Sequence, residues 1–315
     1  MADTLAGSAT DAGPVEVPGP WTHRHVAANG ARFHVVETGP APGPLVLLLH
    51  GFPEFWWAWR DQLPALAVAG YRAVAMDLRG YGGSDKTPNG YDPMTLAQDV
   101  AAVVKALGAR DAVVVGHGWG GYVGWAAAAI HPGQVSALCA VSAPHPMDLV
   151  ASLRSRPGGT ALRHLLAMQL PLLPERRLAD ATTGFLPDHL RSWSAPGSRF
   201  PDAEAVATYQ RAISLWPASH CALEYHRWLL RSRLRADGRR FRGLMRRPVT
   251  QPVCSIWGAD DPVLPSAADG SRHRERRADV THRLPDVGHF PHEEDPATFT
   301  GLLLAWLGQL PRSGR

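Results

Sequence analysis

The 315 residues, 45% of them hydrophobic, suffice for one large core or a core with a sub-domain, and no apolar run is long enough to span a bilayer. The net charge of +4 comes almost wholly from arginine, since Lys86 and Lys105 are the only lysines, and the arginine cluster from Arg231 to Arg247 reads either as a patch for an anionic partner or as the solvated rim of a sub-domain. Cys139, Cys221 and Cys254 are odd in number and scattered, which argues against a disulfide framework and fits a reducing cytoplasm; zinc-finger spacing, the Gly-x-Gly-x-x-Gly fingerprint, a phosphate loop and internal repeats are absent.

In chain order, residues 1–20 are rich in Ala, Gly, Pro and Asp, with neither a basic start nor an apolar stretch, so they read as a flexible leader and not a signal peptide. His23 to Ala28 and Ala31 to Glu37 are strand-like and joined by Asn29-Gly30, a strong two-residue hairpin signal. Short apolar runs follow at Leu45 to His50, Arg72 to Met76, Ala112 to Gly116, Val135 to Val141, Val253 to Trp257 and Val280 to Leu284. Helical segments, including Met94 to Leu107 and Ala297 to Leu307, separate most of them, which predicts a mostly parallel eight-stranded sheet flanked by helices. The alternation stops near Pro144 and resumes near Gln251; between them Ala161 to Gln169, Pro201 to Ile213 and Ala218 to Leu234 are the clearest helices. The expected division is a core over 21–144, a helical cap over 145–250 and the rest of the core over 251–315. Such a cap lies over the strand ends where open α/β sheets bind ligands.

One segment carries a specific signal. Ala112 to Gly116 reads as a buried strand and Gly120 to Ala129 as a helix packed closely on it, and the turn between them has the form Gly-x-nucleophile-x-Gly of a nucleophile elbow. Here x-nucleophile-x is His117-Gly118-Trp119, so glycine stands where the attacking side chain belongs. Around this elbow lie His50-Gly51-Phe52-Pro53-Glu54 after the third strand, Asp77 to Ser84 after the fourth, and Gly288-His289-Phe290 near the end. In this order and spacing the four motifs resemble the α/β-hydrolase family, in its epoxide-hydrolase-like branch, from roughly His23 to Leu310.

The resemblance implies a set of roles. His289 corresponds to the family's base, and Asp261, favoured over Asp260 by the Gly-x-x-Asp spacing after Gly258, to the carboxylate that orients it. The backbone N–H groups of Phe52 and Trp119 correspond to the oxyanion hole, and Phe52, in place of an asparagine that would hold halide, favours the epoxide-hydrolase side over haloalkane dehalogenases. His50, Pro53 and Asp77 are expected to shape turns. Two cap tyrosines of such enzymes align by short context with His164 and His226, with Tyr225 one position away and Tyr209 a further possible donor. A small-molecule substrate or ligand is expected, with no cofactor, nucleic acid or membrane, and no motif fixes an oligomeric state. The apolar cap residues Leu165, Leu166, Met168, Leu170 and Trp228 suit either an apolar ligand or the core of the cap.

Gly118 decides between mechanisms. Removing the nucleophile from a working triad costs on the order of a million-fold in turnover, whereas glycine relieves an elbow strain of roughly 1–3 kcal/mol. His117 cannot take over, because at an elbow the side chain next to the nucleophile points away from the site. Three readings remain: a His289/Asp261 dyad that activates water or moves a proton without a covalent intermediate, a silent ligand-binding pseudoenzyme, and a conventional epoxide hydrolase with its nucleophile elsewhere.

Overall fold

The computed structural model describes residues 13, 15–155, 158–263 and 280–311. Its frame is an eight-stranded sheet in the order β1-β2-β4-β3-β5-β6-β7-β8. The strands are β1 (Thr22–Ala28), β2 (Ala31–Thr38), β3 (Leu45–Leu49), β4 (Arg72–Met76), β5 (Ala112–His117), β6 (Val135–Val141), β7 (Val253–Gly258) and β8 (Val280–Leu284). The pairs β1–β2 and β2–β4 are antiparallel; the remaining pairs are parallel. The hairpin forms where Asn29-Gly30 predicts it, with φ of 44° and 72° at the two turn residues, the left-handed pair that matches strand twist. Every residue of β3 and β5 is buried, as expected of central strands covered by helices on both faces.

Between β6 and β7 the described chain is helical, from Pro146–Ser155 to Ala236–Leu244, and forms the cap. The helices Thr160–Ala167, Ala203–Ile213 and Ala218–Arg231 match the sequence expectation to within a turn; Ser232–Leu234 continues the last as a 3-10 turn. Three helices that the sequence pattern conceals, Pro146–Ser155, Leu173–Ala179 and Phe185–Trp193, carry proline in their first turn, where its missing N–H costs no hydrogen bond.

Of the expected leader, residues 1–12 and 14 lie outside the described residues. Its described end is not loose: Val15 is buried and its carbonyl accepts a 2.8 Å hydrogen bond from Trp56 Nε1, while Trp21 Nε1 donates to the Val17 carbonyl at 2.9 Å. Cys139, Cys221 and Cys254 are all buried and unbridged. No helix among the described residues is long and apolar enough to cross a membrane.

Candidate active site

The motifs converge because each follows the C-terminal end of a parallel strand: Phe52 after β3, Gly118 after β5, Ser142 after β6, Asp261 after β7 and His289 after β8. The elbow helix Trp119–Ile130 can start so abruptly only with small residues. A Cβ on Gly116 would lie 2.5 Å from the Gly120 backbone, and one on Gly120 would lie 2.3 Å from the Leu49 carbonyl oxygen. Gly118 itself has φ 50° and ψ −113°, and its N–H donates to the Val141 carbonyl at 3.0 Å. A Cβ there would meet only Gly51 Cα at 3.7 Å and His289 Nε2 at 3.8 Å, both ordinary contacts. The direction of a side chain at 118 is therefore into the cavity, toward His289.

His289 and Asp261 are joined: His289 Nδ1 lies 2.8 Å from Asp261 Oδ2, while Asp261 Oδ1 accepts a 2.8 Å bond from the Val263 N–H. That contact fixes the tautomer in which Nδ1 carries the proton and Nε2 presents a lone pair toward the space in front of Gly118. No described acceptor takes the N–H of Phe52 or of Trp119, the first residue of the elbow helix.

His117 turns away from the cavity, as expected at an elbow, and anchors a buried network beneath it. Its Nδ1 faces Glu54 Oε2 at 2.7 Å and its Nε2 faces the His289 carbonyl at 2.9 Å. Since both partners are acceptors, both nitrogens donate and the ring is an imidazolium. Burial pushes the His117 pKa down, yet the Glu54 carboxylate overrides it and the net direction is up. Burial likewise opposes ionisation of Glu54, but the His117 charge and the hydrogen bonds from His117 and His292 hold it well below the usual range. Glu54, His117 and His292 bring ligand-type atoms within 4.8 Å of one another. The atoms that face one another are engaged, because Glu54 gives one oxygen to each histidine and one more bond to the Gly51 N–H at 2.8 Å, while His292 Nδ1 is buried without a described partner. His50 and Asp77 shape turns as expected: His50 Nε2 accepts from the Leu78 N–H at 3.1 Å, and Asp77 accepts from the N–H groups of Trp56 at 2.7 Å and Gly83 at 2.8 Å.

The cavity in front of His289 encloses about 630 Å³, part of it open to solvent, and is mostly apolar. Its floor holds Phe52, Gly118, Trp119 and His289, and its roof holds His164, Leu165, Trp193, His226 and Leu229. No Asp, Glu or Cys stands among the described residues that line it. His164 and His226 both line the cavity, but with different freedom. The Trp119 Nε1–H donates to His226 Nε2 at 3.0 Å, so the His226 proton sits on Nδ1, which donates to the Ala222 carbonyl at 3.1 Å; neither nitrogen is left for a ligand. His164 Nε2 is buried and without a described partner. Tyr225 and Tyr209 are not among the lining residues: the Tyr225 hydroxyl donates to the Arg79 carbonyl at 2.7 Å, and that of Tyr209 to Glu293, which also pairs with Arg60. Of the apolar cap residues, Leu165 lines the cavity, Met168 is buried in the cap, Leu166 and Leu170 are exposed, and Trp228 lies elsewhere in the cap.

Three residues escaped the sequence reading. Ser142 lines the cavity with φ 45° and a buried hydroxyl that has no described partner. Its place directly after β6 is the signal that could have revealed it. Trp193 lines the cavity, and its ring packs at 4.2 Å against His189, which in turn stacks at 5.1 Å on His164. Both belong to a helix that the sequence pattern hides.

A family profile described as alpha/beta hydrolase fold matches residues 44–296. The chain belongs to the α/β-hydrolase family. Among its relatives, AB hydrolase superfamily protein YfhM of Bacillus subtilis is 32% identical over 90% of this chain and 96% of its own length. Epoxide hydrolase 3 of Xenopus tropicalis is 32% identical over 85% of this chain and 72% of its own. Among solved structures, Cfl2 of Burkholderia cenocepacia superposes with a TM-score of 0.79 at 29% identity, covering 91% of this chain and 96% of that one. The homology of this α/β-hydrolase is therefore strongly epoxide-hydrolase-like, which supports catalytic potential. A histidine–glutamate cluster and aromatic residues stand near the cavity, an arrangement consistent with hydrolysis that has no covalent intermediate.

Proposed function

We propose that this α/β-hydrolase acts on a small, mostly apolar molecule through a His289/Asp261 dyad without a covalent intermediate. The observation that carries the reading is the geometry at Gly118, where a side chain would point to within 3.8 Å of His289 Nε2 and none is present. Water can occupy that direction. His289 Nε2 takes one proton from the water as its oxygen bonds an electrophilic substrate carbon, for which an epoxide carbon is the class the relatives suggest. The carbon–oxygen bond of the ring then breaks on the face opposite the water, the N–H groups of Phe52 and Trp119 hold the attacking oxygen, and the ring oxygen takes a proton from solvent in the open part of the cavity while His289 returns its own to solvent. Ser142 Oγ and His164 Nε2, both buried and without a partner among the described residues, are the polar atoms with which the cavity would hold a substrate oxygen. The same dyad could move a proton in a lyase or cyclisation reaction.

His289→Ala should remove turnover of aryl or alkyl epoxides altogether; unchanged turnover overturns the reading. In ¹⁸O-labelled water the first turnover should already place solvent oxygen in the diol, whereas a covalent route delivers an enzyme oxygen first. One observation favours a second reading, a silent ligand-binding protein: His226 has both nitrogens engaged, so the roof position aligned with a ring-opening donor supplies none. A ligand recovered unchanged after long incubation, and bound equally well by His289→Ala, would select that reading.

A further inference from the structure

A second cavity of about 1040 Å³, part of it open to solvent, lies in the cap behind the first and shares two walls with it, Tyr122 and Leu229. Its apolar side is formed by Val150, Leu153, Leu162, Trp228 and Phe241, and its polar side by Arg154, Arg233 and Arg242. No Asp or Glu stands among the described residues that line it. None of the three arginines forms an ion pair with a described carboxylate, although Arg242 Nη2 is steadied by a 3.1 Å bond to the Arg233 carbonyl. Trp228 Nε1 is buried there without a described partner. The Tyr122 hydroxyl likewise makes no hydrogen bond to a described residue, and the Arg242 charge is felt at that phenol. The polar side chains named here therefore offer donors, and three are cations, against a wall of aliphatic and aromatic carbon.

We infer that this cavity binds an amphipathic carboxylate, with its alkyl chain along Leu153, Leu162, Trp228 and Phe241 and its carboxylate on the arginine rim. An apolar molecule alone would leave the rim unused. A bare anion would find Arg154 and Arg233 exposed and well hydrated and only Arg242 half-buried, with little to gain from the apolar wall. Only a molecule with both parts satisfies the buried donor and the apolar wall together. The Arg231 to Arg247 cluster thus acquires a use beyond a solvated rim, through two of its members. The inference is independent of which reaction, if any, the first cavity supports.

Isothermal titration calorimetry of the full chain with decanoate tests it. Binding of one decanoate per chain is expected, with acetate and 1-decanol each weaker by at least about tenfold, because charge-assisted bonds and chain burial act together. The double variant Arg233→Gln/Arg242→Gln should weaken decanoate by about tenfold or more. Trp228→Phe, which keeps the aromatic wall and deletes the N–H, should weaken it several-fold. His289→Ala should bind decanoate as wild type does, which separates this cavity from the first. No binding, equal binding by the double variant, equal binding of 1-decanol, or loss of binding in His289→Ala would each overturn the assignment.

Discussion

Floor and roof of the first cavity both use histidine, and they treat it in opposite ways. On the floor, His117 is an imidazolium because Glu54 and the His289 carbonyl both demand protons from it, and His289 is oriented by Asp261. In the roof, His164, His189 and His226 face aromatic rings and one another, with no carboxylate in hydrogen-bond contact among the described residues, and burial pushes each pKa down, to about 3 for His189 and His226. The floor is thus held by compensated charge, the roof by packing of neutral rings. A cavity so divided has its histidine–carboxylate groups fixed from below and a roof that adds no charge of its own.

The floor should break hardest when its compensation is removed. Glu54→Ala leaves the His117 imidazolium buried without its counter-ion and removes the acceptor of the Gly51 N–H, so a loss of about 3–5 kcal/mol is expected by denaturant unfolding. A loss below about 1 kcal/mol would show that His117 is neutral and the floor is not an ion pair. The roof should break next, by acid. Since His189 and His226 in the roof, and His292 in the network beneath the floor, have folded pKa values of about 3, 3 and 4 against 6.5 for the free side chain, the unfolded chain binds more protons than the fold between these limits. Their contribution is fully present above pH 6.5 and declines as the pH falls toward 3 or 4. The raised pKa of His117 works the other way, being lost as pH rises through its folded value, but it is one group against several. The melting temperature should therefore drop steadily from pH 6.5 to 4.5, and His189→Phe should flatten the slope; a melting temperature constant over that range would contradict neutral burial of the roof.

The same division explains what could be read without coordinates. Phe52, Gly118, Trp119, Asp261 and His289 sit on turns directly after parallel strands, where a short motif specifies the backbone path, so sequence order alone brings them to one edge of the sheet. Cap residues have no such tether. Tyr225 and His226 are neighbours on one helix, yet a rotation of one residue sends the first to the Arg79 carbonyl and the second to the cavity. His189 and Trp193 went unseen because their helix carries Pro187 in its first turn and reads as a break. The ion pair beneath the floor was equally hidden, since Glu54 and His117 are brought together by the pairing of β3 with β5 and not by any local pattern.

A smaller effect comes from restoring a charge on the floor. Gly118→Asp finds ordinary contact distances at its Cβ and pays only for a side chain at φ 50°, about 1–3 kcal/mol. The new carboxylate would lie beside His289 Nε2, and an aryl epoxide should then alkylate it, giving an adduct by intact mass that wild type does not form. Absence of an adduct in a folded variant would mean that the floor no longer aligns a side chain at 118 with the ligand.

The mildest change separates a bolt between cap and core from a group that touches ligand. The Tyr225 hydroxyl leaves the cap helix and donates to the Arg79 carbonyl in the core, 2.7 Å away, with its ring buried against Tyr81, Tyr91 and Trp119. Tyr225→Phe deletes that bond and leaves one buried carbonyl short of a donor, for about 0.5–1.5 kcal/mol of stability. Since the hydroxyl points away from the cavity, kcat and KM for any substrate found should stay at wild-type values while unfolding shifts. A fall in kcat without a change in stability would instead make Tyr225 a donor to the reacting oxygen, and would require the cap to rotate on the core by enough to exchange its place with His226.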